Sequence, residues 1–226
     1  MRLITIYDNN LYDERLMSGW GFSCLVEAGD RRILFDTGGD PSILLDNMKV
    51  LGIDPASIDL VLLSHAHQDH TGGISAVIRE GLSLYLPTSF PESFKGALRA
   101  RGVEIIEVEK SCEISKDVYT TGELGSWIKE QSLVIAAEPG LVVITGCAHP
   151  GIVEILKYVR NEFDAKIYLV LGGFHLGERN VSRAFLELGV LKVAPSHCTG
   201  GMASAYLERA YRENFIMNGA GKVIEV

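Results

Sequence analysis

Leu60-Val61-Leu62-Leu63-Ser64-His65-Ala66-His67-Gln68-Asp69-His70-Thr71-Gly72-Gly73 is the segment of this chain most crowded with reactive side chains. Four apolar residues read as a buried strand, and a polar loop follows at once. His65 and His67 stand two apart, so on extended backbone their side chains point the same way. Asp69 and His70 come where the chain turns toward a helix, which can aim them at a second point a few ångströms away. Gly72 and Gly73 let the backbone pass close to a neighbour. The arrangement recurs three times: Leu141 to Ile144 precede Gly146-Cys147-Ala148-His149-Pro150-Gly151, Ile167 to Leu171 precede Gly172-Gly173-Phe174-His175, and Leu191 to Ala194 precede Ser196-His197-Cys198. All six histidines therefore lie at strand exits. Imidazole is the commonest transition-metal ligand, so the simplest expectation is one metal site assembled from four distant segments. Neutral imidazoles with a carboxylate suit zinc first, with iron or manganese as alternatives.

A length of 226 residues suits one domain or two fused halves, and the expectation is a single domain over 1–226. A hydrophobic content of 47% is enough for a sizeable core. The net charge of −8 argues against a nucleic-acid partner and leaves a small-molecule substrate as the expected one. Four cysteines (Cys24, Cys112, Cys147, Cys198) form no CxxC pair, which points to a reducing, cytoplasmic setting. Met1 to Asp8 reads as a first strand rather than a signal peptide. No apolar run approaches the roughly 20 residues of a membrane span, so no membrane partner is expected. Nothing in the sequence bears on the oligomeric state.

Strands are expected at 2–7, 22–28, 31–35, 60–63, 83–86, 103–108, 131–137, 141–145, 167–171, 191–194 and 221–225. Asp40-Pro41 reads as a helix N-cap and first turn, with Ile43, Leu44, Met48 and Leu51 as the apolar stripe and Gly52 as the stop. Further helices are expected at about 71–79, 91–100, 151–161, 182–188 and 201–211. The stretch 110–130 shows little periodicity and is expected to be a loop over the site. Both halves run from strand pairs into strand-loop-helix units, which predicts an α/β fold, an αββα four-layer sandwich with two sheets face to face and helices outside.

Ser64 to Gly73 resembles the HxHxDH signature of the metallo-β-lactamase superfamily. Asp36 in Phe35-Asp36-Thr37-Gly38 matches that family's first motif, His149 its third and His197 its last. The resemblance implies a metallo-β-lactamase-like fold in which His65, His67 and His149 hold one metal and Asp69, His70 and His197 a second. Gly146 to Gly151, Gly172 to Leu176 and His197-Cys198-Thr199-Gly200, with Glu130-Gln131 and Leu133-Val134-Ile135, look like the dihydropterin-ribofuranosylaminobenzene-phosphate synthase-like group. Members of that group join a pterin pyrophosphate to a phosphorylated aminobenzene riboside. One departure stands out: many relatives carry a metal-bridging aspartate after the fourth strand, where this chain has Gly172-Gly173-Phe174-His175. The second site is then weaker, absent, or completed by His175. A neutral imidazole offers one lone pair and cannot bridge two cations, so His175 is expected either as a terminal ligand or as a contact to the substrate.

The expected chemistry is that of a metal-dependent hydrolase-like enzyme acting on an anionic, phosphorylated small molecule through a metal-activated hydroxide, with one or two transition-metal ions. Asp69 and His175 are the candidate catalytic residues. The alternatives are a pterin pyrophosphate condensing synthase, in which an amine replaces water, and a non-catalytic ligand-sensing module. A flavo-di-iron oxygen reductase would carry Glu where this chain has His67, and an RNA-processing nuclease would need a basic surface; a thioester or lactone hydrolase stays open. Asp36 is expected to orient a ligating histidine rather than bind metal. Cys147 and Cys198 are expected to pack rather than react. Trp20 and Trp127 read equally as packing residues and as platforms for an aromatic substrate.

Overall fold

The computed structural model describes residues 1–226. In chain order its elements begin β1 (Arg2–Tyr7), β2 (Ser23–Ala28), β3 (Arg31–Phe35), α1 (Pro41–Val50), β4 (Leu60–Leu62), α2 (Gln68–Thr71), β5 (Ser83–Pro87), α3 (Glu92–Arg99) and β6 (Glu104–Val108). They continue β7 (Lys110–Ser115), β8 (Val118–Gly122), β9 (Leu133–Ala137), β10 (Gly140–Thr145), α4 (Ile152–Phe163), β11 (Ile167–Gly173), α5 (Ser182–Glu187), β12 (Lys192–Ser196), α6 (Gly201–Tyr211) and β13 (Val223–Glu225). The chain divides into two compact units, Met1–Glu109 with Gly219–Val226, and Lys110–Asn218.

The first unit is a seven-stranded sheet in the order β13-β1-β2-β3-β4-β5-β6. β13, β1, β2 and β3 pair antiparallel, and β3 to β6 pair parallel. Leu25, Leu34, Val61 and Leu84 from the strands share a core with Leu44 and Met48 of α1 and Leu98 of α3. Asp40 caps α1 as its sequence predicts: its Oδ1 accepts the Ser42 and Ile43 amides at 2.7 and 3.3 Å. The helix expected at 71–79 is displaced. It starts at Gln68 and gives way to a 3₁₀ turn over Gly72–Ala76. Close backbone approach is the cause: a Cβ on Gly73 would stand 2.0 Å from the Thr37 carbonyl oxygen, and the Gly73 amide donates to Gly38 at 3.0 Å.

The second unit is a six-stranded sheet in the order β12-β11-β10-β9-β8-β7. β10, β11 and β12 are parallel; the rest pair antiparallel. α4 turns Ile152, Ile155, Leu156 and Val159 into a core shared with Phe185 of α5 and with Ala203, Leu207 and Tyr211 of α6. Each buried Ile, Leu, Val or Phe side chain among them stabilises the fold by roughly 1.5–3 kcal/mol relative to exposure. The expectation of a loop over 110–130 is corrected. Residues 110–122 form the β7–β8 hairpin, and only 123–132 lie outside strands, tied by a bridge between Leu124 and Glu130. β7 is a largely solvated strand, with Lys110, Cys112 and Glu113 exposed, so it lacks the apolar alternation by which strands are read.

Candidate metal centre

Every candidate residue lies just beyond the C-terminal end of a parallel strand, where α/β sheets bind ligands. In the first unit these strands are the neighbours β3 and β4, which lead into Asp36 and into Ser64 to His70. Asp36 is fully buried, and its φ of +55° places it in the left-handed region. Its Oδ1 accepts the Ser64 amide at 2.7 Å; its Oδ2 accepts the Ser64 hydroxyl at 2.7 Å and lies 2.7 Å from His70 Nδ1. Because the Ser64 hydroxyl spends its proton on Asp36, its oxygen receives the Nδ1 proton of His65, 2.9 Å away. One carboxylate thus sets the tautomer of two imidazoles, directly for His70 and through Ser64 for His65, and both keep their lone pair on Nε2.

The HxHxDH loop is compact. The His65 ring lies 4.6 Å from that of His67 and 4.3 Å from that of His70, and Asp69 Oδ2 is 3.6 Å from His70 Nε2. His65 and His70 are buried, Asp69 is half-buried and His67 is exposed. The Thr37 amide and hydroxyl both donate to the His70 carbonyl, at 2.8 and 2.9 Å, and the Phe22 amide donates to that of Asp69 at 3.3 Å. A cavity of about 280 Å³ opens beside Asp69, lined by Trp20, Gly39, Gln68 and Asp69. Trp20 is 66% exposed there.

In the second unit His149, His175 and His197 leave the adjacent strands β10, β11 and β12. Glu130 does for His149 what Asp36 does for His70. It is 1% exposed and accepts four N–H groups: Cys147 and Ala148 amides on Oε1 at 2.9 and 2.8 Å, and the amide and Nδ1 of His149 on Oε2, both at 2.9 Å. The His149 lone pair is again left on Nε2. Sequence reasoning singled out Glu130 only through family resemblance. A signal was present, since a carboxylate directly before a buried polar-to-apolar run has to find buried donors.

The His175 ring stacks obliquely on that of His149 with centroids 4.8 Å apart. Partial desolvation, then the nearby His149 and Arg179, hold its pKa below the ordinary imidazole range; Glu130 opposes this and His197 adds to it. His197 is buried at the head of a 3₁₀ turn, His197–Thr199. The β11 and β12 exits are stitched by the Phe174 amide donating to Thr199 Oγ1 at 3.2 Å, and those of β10 and β11 by Gly173 donating to Gly146 at 3.1 Å. Asp36, Ala148, His175 and His197 all have φ between +47° and +60°, strain that collects at functional sites. The structure thus groups His65, His67, Asp69 and His70 in one unit and His149 and His175 in the other, with His197 on the adjoining strand. A larger cavity of about 420 Å³, between Lys157, Arg160 and Glu187, includes none of the candidate residues.

Imidazole nitrogens with pinned tautomers, joined by one accessible carboxylate, form a donor set that fits a borderline transition metal. Comparison with known proteins agrees. The profile of the metallo-beta-lactamase superfamily matches residues 21–81. The chain is 33% identical to the 7,8-dihydropterin-6-methyl-4-(beta-D-ribofuranosyl)-aminobenzene-5'-phosphate synthase of Methanocaldococcus jannaschii, over 95% of this chain and 92% of that protein. The structure of Tm1679, a metal-dependent hydrolase of the beta-lactamase superfamily, superposes with a TM-score of 0.88 at 30% identity, covering 100% of this chain and 99% of that one. Human tRNase Z, short form, shares the fold at a TM-score of 0.62 and 12% identity, over 100% and 99% of the two chains. With its α/β sandwich fold and the motif of Ser64 to Gly73, the chain belongs to the metallo-β-lactamase superfamily.

Proposed function

We propose that this protein is a metal-dependent hydrolase acting on an anionic, phosphorylated small molecule. His65, His67 and His149 would hold one transition metal and Asp69, His70 and His197 a second, with His175 as terminal ligand or substrate contact and zinc as the first candidate ion. The observation that carries the reading is the pair of buried carboxylates, Asp36 and Glu130, that fix three imidazoles with Nε2 available as the donor nitrogen. A metal held there would supply Lewis acidity for a phosphoryl oxygen and would lower the pKa of water towards neutrality. Asp69, half-buried at the edge of a cavity, accepts the proton of the attacking group. His175, whose imidazole pKa is held down chiefly by desolvation, can donate one N–H to an anionic substrate oxygen. Trp20 offers an exposed ring beside Asp69 for a planar part of the substrate. With a net charge of −8, nucleic acid is not the proposed partner.

A second reading is favoured by the 33% identity to the dihydropterin-linked synthase over nearly the whole chain. In it the same residues serve a condensation, pyrophosphate leaves a pterin carbon, and an aromatic amine is the nucleophile. One experiment separates the two. Zinc- or manganese-loaded protein is given bis(p-nitrophenyl) phosphate, and separately a dihydropterin pyrophosphate with and without a phosphorylated aminobenzene riboside. Chelator-sensitive release of nitrophenol supports hydrolysis. Release of pyrophosphate only with the amine present supports the synthase. A full metal complement with no turnover in either arm defeats both and leaves the ligand-sensing reading.

A further inference from the structure

Cys147 and Cys198 meet although 51 positions separate them. Their Sγ atoms are 3.2 Å apart, and Cys198 Sγ lies 3.7 Å from the Cys147 carbonyl oxygen. A ring nitrogen of His175 joins them, all three donor atoms lying within 4.8 Å of one another. These residues leave the three neighbouring parallel strands β10, β11 and β12, so the sheet itself brings them together. Gly173 makes the room: a Cβ there would stand 2.7 Å from Cys198 Sγ and 3.3 Å from the Cys147 Cα. The positions are also held. Glu130 grips the Cys147 amide, and Thr199 ties the β11 exit to the β12 turn. Packing alone does not account for a half-buried thiol and an exposed imidazole converging on a buried thiol across a glycine.

We infer that Cys147, Cys198 and His175 form a thiolate-rich binding site for a soft or borderline cation, of the class Zn(II), Cd(II) or Cu(I). Two thiolates and one imidazole make a donor set different in kind from the imidazole–carboxylate set proposed above; His175 belongs to both, and Cys147 Sγ also lies within 4.8 Å of a ring nitrogen of His149 and of His197. Two sulfurs at about 2.3 Å from a tetrahedral ion stand roughly 3.8 Å apart. The pair therefore has to open by only about 0.6 Å to accept a cation, whereas a disulfide at about 2.05 Å would need it to close by more than 1 Å. Three protein donors leave a fourth position open to a further ligand.

Cobalt(II) titrated into metal-free, reduced protein tests this. The expected result is a thiolate-to-cobalt charge-transfer band in the near ultraviolet, beside the weaker visible bands of imidazole-bound cobalt. Cys198→Ser and Cys147→Ser each lose the charge-transfer band and retain visible bands. In the unaltered protein, cadmium shields both thiols from alkylation, read by peptide mass, so the test survives a variant that fails to fold. Cobalt bound with visible bands but no charge-transfer band overturns the inference and leaves the proposed imidazole centre standing. A band that persists in both cysteine variants, or cadmium that protects neither thiol, overturns it as well. No cobalt bound at all removes both.

Discussion

Glu130→Gln separates the role of a buried carboxylate from that of its shape. The glutamate accepts four N–H groups, two on each oxygen. In the amide, Oε1 can keep the Cys147 and Ala148 donors, but an NH₂ then faces the amide and Nδ1–H of His149. Two hydrogen bonds to a charged acceptor, roughly 1.5–3 kcal/mol each, are lost. His149 can recover one by moving its proton to Nε2 and accepting on Nδ1. The remaining cost is roughly 1.5–3 kcal/mol, which at about 2–4 °C per kcal/mol for a chain of this size lowers the melting temperature of metal-free protein by roughly 3–12 °C. The recovery has its own consequence, because a protonated Nε2 cannot bind metal. Affinity should fall about 10- to 100-fold, as for other partners of ligating histidines. Thermal melts with chelator and competition against a fluorescent zinc indicator measure the two effects. A melting temperature and a zinc affinity both unchanged would refute the assignment of Glu130 as the residue that fixes His149.

Asp36→Asn should act alike in the other unit, lowering metal affinity about 10- to 100-fold, since an NH₂ would confront either the Ser64 amide or, on the other side, both the Ser64 hydroxyl and His70 Nδ1–H; equal metal content after dialysis would count against it. Burial pushes the Cys24 thiol up to about 12, so iodoacetamide at pH 8 should leave Cys24 unmodified in the folded protein while the exposed Cys112 reacts, as peptide mass spectrometry will show. In metal-free protein the His175 imidazole should titrate below its ordinary value by NMR, chiefly through desolvation. The unfolded chain then takes up this proton first as pH falls, so this histidine's contribution destabilises the fold on acidification and vanishes above the unfolded pKa; a midpoint at or above the ordinary value would contradict the packing described for its ring.

Strand exits were readable because buried parallel strands are short apolar runs and the histidines mark where they end. The cap of α1 was readable because Asp40-Pro41 has a local physical meaning. The start of α2 was not: it depends on Gly72 and Gly73 meeting the backbone of residues 37–39, a contact between segments more than 30 positions apart. β7 escaped notice because a solvated strand carries no apolar alternation. The histidines of the site were legible by type and spacing. Their supports were less so, since whether Asp36 binds metal or a histidine is decided by hydrogen bonds, and Glu130 lies in a stretch without periodicity. The pairing of Cys147 with Cys198 was missed outright. Neighbouring residues on extended backbone point apart, which argued for packing, but the left-handed turns at Ala148 and His197 redirect both loops.

The two sheets each end in edge strands, β13 and β6 in one, β12 and β7 in the other; β12 is partly covered by Phe215 and Ile216, which bridge to Val193. Such edges are templates for pairing with another chain. Here each carries an interruption: Glu225 on β13, Glu104 and Glu107 on β6, Lys192 and Pro195 on β12, Lys110 and Glu113 on β7. A second copy adding in register would bring like charges together or meet a proline without an N–H. The residues that made β7 hard to read as a strand are thus the ones that keep it from recruiting its own kind, and a solubility-minded redesign of this chain should leave them in place.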